Sequence, residues 1–251
     1  MKKHVIILFL ILLTVPGFSQ SPGAVVDSAN AAYTEGEYYK ALSLYDSVYQ
    51  MGYESASLYY NLGNSYFKTD DIANAILFYE RALKLSPQDE DINGNLEMAR
   101  QLTLDKIEKV PELFYERWWQ RMMNTFNMDG WATLFVISLS VFFVALVFFI
   151  LSKNVWIRKF SFYSGIIIFL VAGLSMIFSL KQQHEVMDET DAIVFKPSVT
   201  VKASPDKKSV NLFVIHEGTK VYILDKLGNW YEIKIDNGSV GWIPQETVEV
   251  I

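Results

Sequence analysis

The sequence predicts a multidomain membrane protein made of an all-α solenoid of helical repeats, a two-helix transmembrane hairpin and a small all-β barrel. Three observations predict it. Two charge-free stretches run from Trp131 to Leu151 and from Phe162 to Leu180, each close to the roughly 20 apolar residues that a hydrocarbon core demands. Residues 21–110 repeat their large and small apolar residues at a spacing of 34. From about Asp191 the texture changes to short Val- and Ile-rich runs separated by Gly and Asn, which is strand and turn chemistry. A chain that is 51% hydrophobic yet 20% charged is thereby resolved into apolar and polar blocks.

At the amino end, Lys2 and Lys3 precede an apolar run from Val5 to Val15, followed by Pro16, Gly17 and Ser19. Residues 1–19 read as a signal peptide, with cleavage after Ser19 or nearer Gln20 or Ser21, because the run is short for a membrane span. Removing its two lysines leaves 20 basic residues against 28 acidic ones, a net charge of −8.

Residues 21–110 follow as the solenoid. In SASLYYNLGNSYFKTDDIANAILFYERALKLSP, small Gly63, Ala75 and Ala82 alternate with large Tyr59, Leu62, Tyr66, Tyr79 and Leu83. This resembles a tetratricopeptide repeat, in which a small side chain lets two antiparallel helices approach and Pro87 stops the second. Moving back 34 positions takes Ala75 to Ala41, Tyr79 to Tyr45 and Gly63 to Ala29; moving forward takes Leu62 to Leu96, so EDINGNLEMARQLTLDKIEK reads as the first helix of a third unit. The named apolar residues serve packing. Candidate partner-binding residues are polar ones on the inner helix: Asn61, Asn64, Ser65 and Lys68.

Residues 111–130 mix Phe114, Trp118, Trp119, Met122, Met123 and Phe126 with Glu116, Arg117 and Arg121. They predict an amphipathic interfacial segment with Trp118 and Trp119 at headgroup level, or the same side chains turned toward another membrane protein. Residues 131–151 and 162–180 are the transmembrane helices. The loop between them, 152–161, holds Lys153, Arg158 and Lys159 and no acid, which places it in the cytoplasm. The export signal and this loop demand the same topology, so both soluble parts are expected on the outer side of the inner (cytoplasmic) membrane, in the periplasm. Residues 181–190 are a linker.

Residues 191–251 carry VKASP, HEGTKVYIL, GNWYEIKI and VGWIP, which resemble a bacterial SH3 domain ending near Gly241-Trp242. Trp230 is expected to close the small core. Trp242 either does the same or offers a flat face to an extended peptide or a cell-wall component. His216, where a strand meets a turn, is expected to make a local hydrogen bond.

The chemistry these residues exclude is broad. Cysteine is absent and the three histidines, His4, His184 and His216, are scattered, so no metal motif, cofactor motif or nucleophile triad emerges, and no enzyme is expected. Acidic residues exceed basic ones by 14 to 7 over residues 21–110 and by 10 to 7 from Met187 onward, so nucleic acid is not a partner.

The order of modules resembles the BatE-type proteins of the Bacteroides aerotolerance (Bat) family, most clearly in YNLGNSYFKTDDIANAILFYERALKLSP, NLEMAR and LFVIHEGTKVYILDKLGNWYEIKIDNGSVGWIP. The resemblance implies an inner-membrane protein of Bacteroidota that works beside other Bat proteins, including ones with von Willebrand factor A domains, in envelope stress or oxygen tolerance. The function expected is a periplasmic protein-protein interaction scaffold or adaptor; the alternative is an envelope sensor whose SH3-like domain binds peptidoglycan or a secreted peptide.

Overall fold

A computed structural model describes residues 21–107, 113–187 and 190–251. The signal peptide expected over 1–19 lies outside these residues. The chain divides between Tyr53 and Glu54 into two compact units. The first holds α1 (Pro22–Thr34) and α2 (Tyr38–Gln50). The second holds α3 (Ala56–Lys68), α4 (Ile72–Leu85), α5 (Glu90–Arg100), α6 (Phe114–Met123), α7 (Met128–Leu151), α8 (Val155–Met187) and a seven-stranded sheet.

Within the first unit Ala29, Ala32, Ala41, Tyr45 and Val48 are buried, and the Tyr45 hydroxyl donates to Asn30 Oδ1 at 2.6 Å. Ser21 caps α1 and Pro22 opens it, a position where a missing N–H costs nothing. Thirty-four residues later the second unit repeats the device: the Tyr79 hydroxyl donates to Asn64 Oδ1 at 2.7 Å. Gly63 packs under the Tyr79 ring so closely that a Cβ there would lie 2.6 Å from Cδ1. The turns repeat as well, with Gly36 at φ +81° matched by Asp70 at φ 65°, a left-handed position that Asp tolerates better than most residues. Ser55, Asp71 and Asp89 cap α3, α4 and α5 by accepting from backbone N–H groups of the first turn. The helix α4 ends at Leu85, just before Pro87, and α5 ends at Arg100, with residues 101–107 outside any helix.

The helices α7 and α8 are long and apolar enough to cross a membrane. Their bounds as helices differ from the charge-free windows. Asn127 accepts from Gly130 N at 2.9 Å and starts α7 three residues before Trp131. Only residues 152–154 separate the two helices, so most of the loop expected over 152–161 is helical, and α8 runs past Leu180 into the expected linker 181–190. The charge-free windows mark apolar length alone. Helical hydrogen bonding continues through Trp, Arg, Lys and Gln, which are compatible with it.

The strands β1 (Asp191–Val194), β2 (Ser198–Lys202), β3 (Asn211–His216), β4 (Lys220–Leu227), β5 (Trp230–Lys234), β6 (Val240–Pro244) and β7 (Val248–Val250) form one antiparallel sheet in the order β3-β2-β6-β5-β4-β1-β7. Ala192, Val194, Val199, Val201, Ile215, Val221, Ile233 and Ile243 come from six of the strands and share one core, so the sheet curls on itself. Gly241 allows this closure: a Cβ there would meet Val201 Cγ1 at 2.5 Å and the Lys202 carbonyl oxygen at 2.8 Å.

Candidate functional site

The polar residues expected to bind partners on α3 separate into two kinds. Asn61 stays half-exposed and Lys68 exposed. Ser65 is fully buried and donates to the Asn61 carbonyl at 2.8 Å, so it cannot meet a partner and is corrected to a structural residue. Asn64 accepts from Tyr79 and also from Asn95 Nδ2 at 2.8 Å, while Asn95 reaches the Tyr60 hydroxyl at 3.0 Å. Its amide therefore fixes α3 to α4 and α5. The surface that remains is formed by Tyr60, Asn61, Lys68 and Asn95. The sequence reading missed Tyr60 and Asn95, although Asn95 is Asn61 moved by one repeat.

The second feature is a junction between α4, α5 and the β module. Glu80 on α4 is buried and pairs with Arg100 of α5 and with Lys220 of β4, whose Nζ lies 3.0 Å from Glu80 Oε2 and 2.8 Å from Asp191 Oδ2. Burial alone would raise the Glu80 carboxyl, but Lys220 and Arg100 hold it below the usual carboxylate range. Burial would likewise lower Lys220, and Glu80 and Asp191 raise it instead. Nearby, Arg81 donates to the Val250 carbonyl at 2.8 Å and Lys84 to that of Ile251 at 3.0 Å.

Asp105, in the segment after α5, binds the turn between β3 and β4. It accepts from His216 N and Thr219 Oγ1, each at 2.7 Å, and its Oδ1 is 2.8 Å from His216 Nδ1. Burial raises Asp105, and the bonds from Thr219 and His216 outweigh that and lower it. The His216 partner is thus 111 residues away, not local as expected. Gly218, at φ +82° in this turn, brings the backbone so close that a Cβ would meet Thr103 Cγ2 at 2.7 Å and Ile76 Cδ1 at 3.3 Å. Arg100, Asp105, Lys106, Thr219, Lys220 and Asp236 are among the residues lining a mixed-charge cleft of about 440 Å³ beside the junction.

The two tryptophans of the β module are both half-buried, outside the core cluster. Trp242 is half-buried on β6, in register with Lys202 and Glu232. Trp230, expected to close the core, lines a cavity of about 430 Å³ with Lys207, Asn229, Pro244, Gln245 and Glu246.

On α6 the two tryptophans separate as well. Trp119 packs edge-on against Phe178 of α8 at 5.1 Å, while Trp118 is 62% exposed beside exposed Phe114 and Tyr115. The helix is fastened to the hairpin: Trp131 Nε1 donates to the Met123 carbonyl at 2.6 Å, and Gln182 Nε2 to those of Met123 and Phe126 at 3.0 and 2.9 Å.

Helical pairs with small-residue contacts at a 34-residue period, and a curled sheet with Gly241-Trp242 in its sixth strand, are the geometry that decides the module types. The chain carries a tetratricopeptide repeat and a bacterial SH3 domain. Residues 56–89 match the tetratricopeptide repeat family and residues 197–249 the bacterial SH3 domain family. No curated protein matches the chain. Both module types support binding to protein or to peptidoglycan, and both are typically non-catalytic.

Proposed function

We propose that the chain is a membrane-anchored, non-enzymatic interaction scaffold or adaptor. The observation that carries this reading is the junction around Glu80 and Lys220. It makes one body of two modules of binding type, and an apolar hairpin interrupts that body between Ile107 and Thr190. A body so built presents the α3–α5 surface and the SH3 module at a fixed mutual angle beside a bilayer. The leader-like 1–19 and the cations of the hairpin turn support periplasmic placement of both modules at the inner membrane. The resemblance in module order to BatE-type proteins supports a place in a Bat-type envelope complex linked to aerotolerance or stress, with partners bearing von Willebrand factor A domains.

Crosslinking in intact membranes tests the scaffold. Replacing Asn61 and Lys68 together by Ala should reduce partner recovery at least severalfold; recovery equal to that of the native chain would sink the reading. Reporter fusions at Asn154 and after Ile251 should score cytoplasmic and periplasmic, and the reverse order refutes the topology.

The Trp230 cavity favours a second reading, in which the SH3 module binds peptidoglycan or an extended peptide and the chain senses the envelope. An aromatic wall beside Asn229 and Gln245 suits a sugar or a peptide backbone. The detergent-solubilised full chain should then sediment with purified sacculi, and Trp230→Ala should not.

A further inference from the structure

The turn end of the hairpin carries a pocket of another kind. Val155, Arg158, Lys159, Phe162 and Tyr163 are spaced so that they fall on one stripe of α8, and with Phe149 of α7 they line a cavity of about 340 Å³. Phe149 and Phe162 form its apolar wall, with ring centroids 5.8 Å apart. The Arg158 guanidinium lies 5.6 Å from the Phe149 centroid, and the Lys159 ammonium 5.9 Å from that of Trp156. Aromatic faces attract a cation without neutralising it.

Among the described residues no carboxylate forms an ion pair with Arg158 or Lys159. Between residues 130 and 184 the chain contains Lys153, Arg158, Lys159 and Lys181, and no Asp or Glu. At 1.5 Å per residue, the 22 steps from Asp129 to Leu151 put that carboxylate about 33 Å from the turn, far outside ion-pair reach. Arg158 over the Phe149–Phe162 pair, with Lys159 beside it on the same cavity wall at the end of an apolar hairpin, matches a ligand with an anionic head and a hydrocarbon tail.

We propose that this cavity binds an anionic phospholipid, with the headgroup phosphate held between Arg158 and Lys159 and the first methylenes of an acyl chain against Phe149 and Phe162. Arg158 supplies a planar fork for two phosphate oxygens, and Lys159 a point charge. A free phosphate would meet the same cations and leave the apolar wall uncovered. The proposal rests on α7 and α8 spanning a membrane, as the proposed function holds.

The full chain, reconstituted with mixed phosphatidylglycerol and phosphatidylcholine, is the test. Native mass spectrometry after mild extraction should show phosphatidylglycerol retained in preference. Arg158→Ala and Lys159→Ala should each weaken that retention about fivefold, Arg158→Lys less, and Phe149→Ala should weaken it with the charges intact. Excess inorganic phosphate should not displace the lipid. Equal retention of the two lipids, indifference to both alanine variants, or displacement by phosphate would each overturn the site. Vesicle flotation separates the two levels: a chain that fails to float with lipid overturns the membrane reading, and one that floats without lipid preference overturns the site alone.

Discussion

At Gly63 the packing of a whole helix pair depends on a missing methyl group. A Cβ would lie 2.6 Å from the Tyr79 ring, and Tyr79 is held in place by its hydroxyl bond to Asn64, so neither side can give way cheaply. Gly63→Ala should therefore destabilise by about 1–3 kcal/mol, read as a lower midpoint of thermal unfolding. Gly94→Ala is the contrasting case. Nothing lies within 4 Å of its Cβ position on α5, so the added methyl should stabilise by about 0.5–1 kcal/mol through helix propensity alone. Gly63 and Tyr79 were legible in the sequence because size and period are written there. Asn64 and Ser65 were not, since a polar side chain on an inner helix looks the same whether it faces water or a tyrosine hydroxyl.

Among the elements, α6 shows how one amphipathic helix divides its apolar arc. Trp119 and Met123 meet the hairpin, and Phe114, Tyr115 and Trp118 remain outside. Trp119→Ala should lower stability by about 2 kcal/mol, less than a fully buried Trp because it is partly exposed. Trp118→Ala should leave the melting curve unchanged and reduce only tryptophan quenching by lipid-borne quenchers. Unfolding followed by circular dichroism distinguishes the two. Helices and strands were readable from periodicity and turn residues, and the hairpin from its missing charges. The helix ends at Met128 and Val155 lie outside the charge-free windows, because an Asn cap and continued hydrogen bonding, and not hydropathy, set the boundary.

For the whole molecule the decisive contacts join residues that no sequence window contains. Glu80 and Lys220 are 140 positions apart, and Asp105 and His216 are 111 apart, so nothing local announced the junction. Lys220→Met leaves Glu80 with Arg100 alone and should cost about 3–5 kcal/mol, as loss of one partner of a buried pair does. Hydrogen exchange should then accelerate in β1, β4 and α4 together. The pH window follows from the signs. Glu80 and Asp105 are lowered, so their contribution is complete above the ordinary carboxylate range near about pH 4–5 and is lost as pH falls through their depressed values. Lys220 is raised, so its contribution is complete below about pH 10 and is lost as pH climbs through its higher value. Protection of β1 and β4 amides, taken relative to the intrinsic exchange rate at each pH, should be greatest between these limits. The same sequence separation also orders biosynthesis. When α4 leaves the ribosome its buried glutamate has only Arg100 to meet, and Lys220 arrives after both apolar helices have been made. Glu80 therefore waits half-paired until both long apolar helices have been made, so the contact that closes α4 onto the β module is among the last that the growing chain can form.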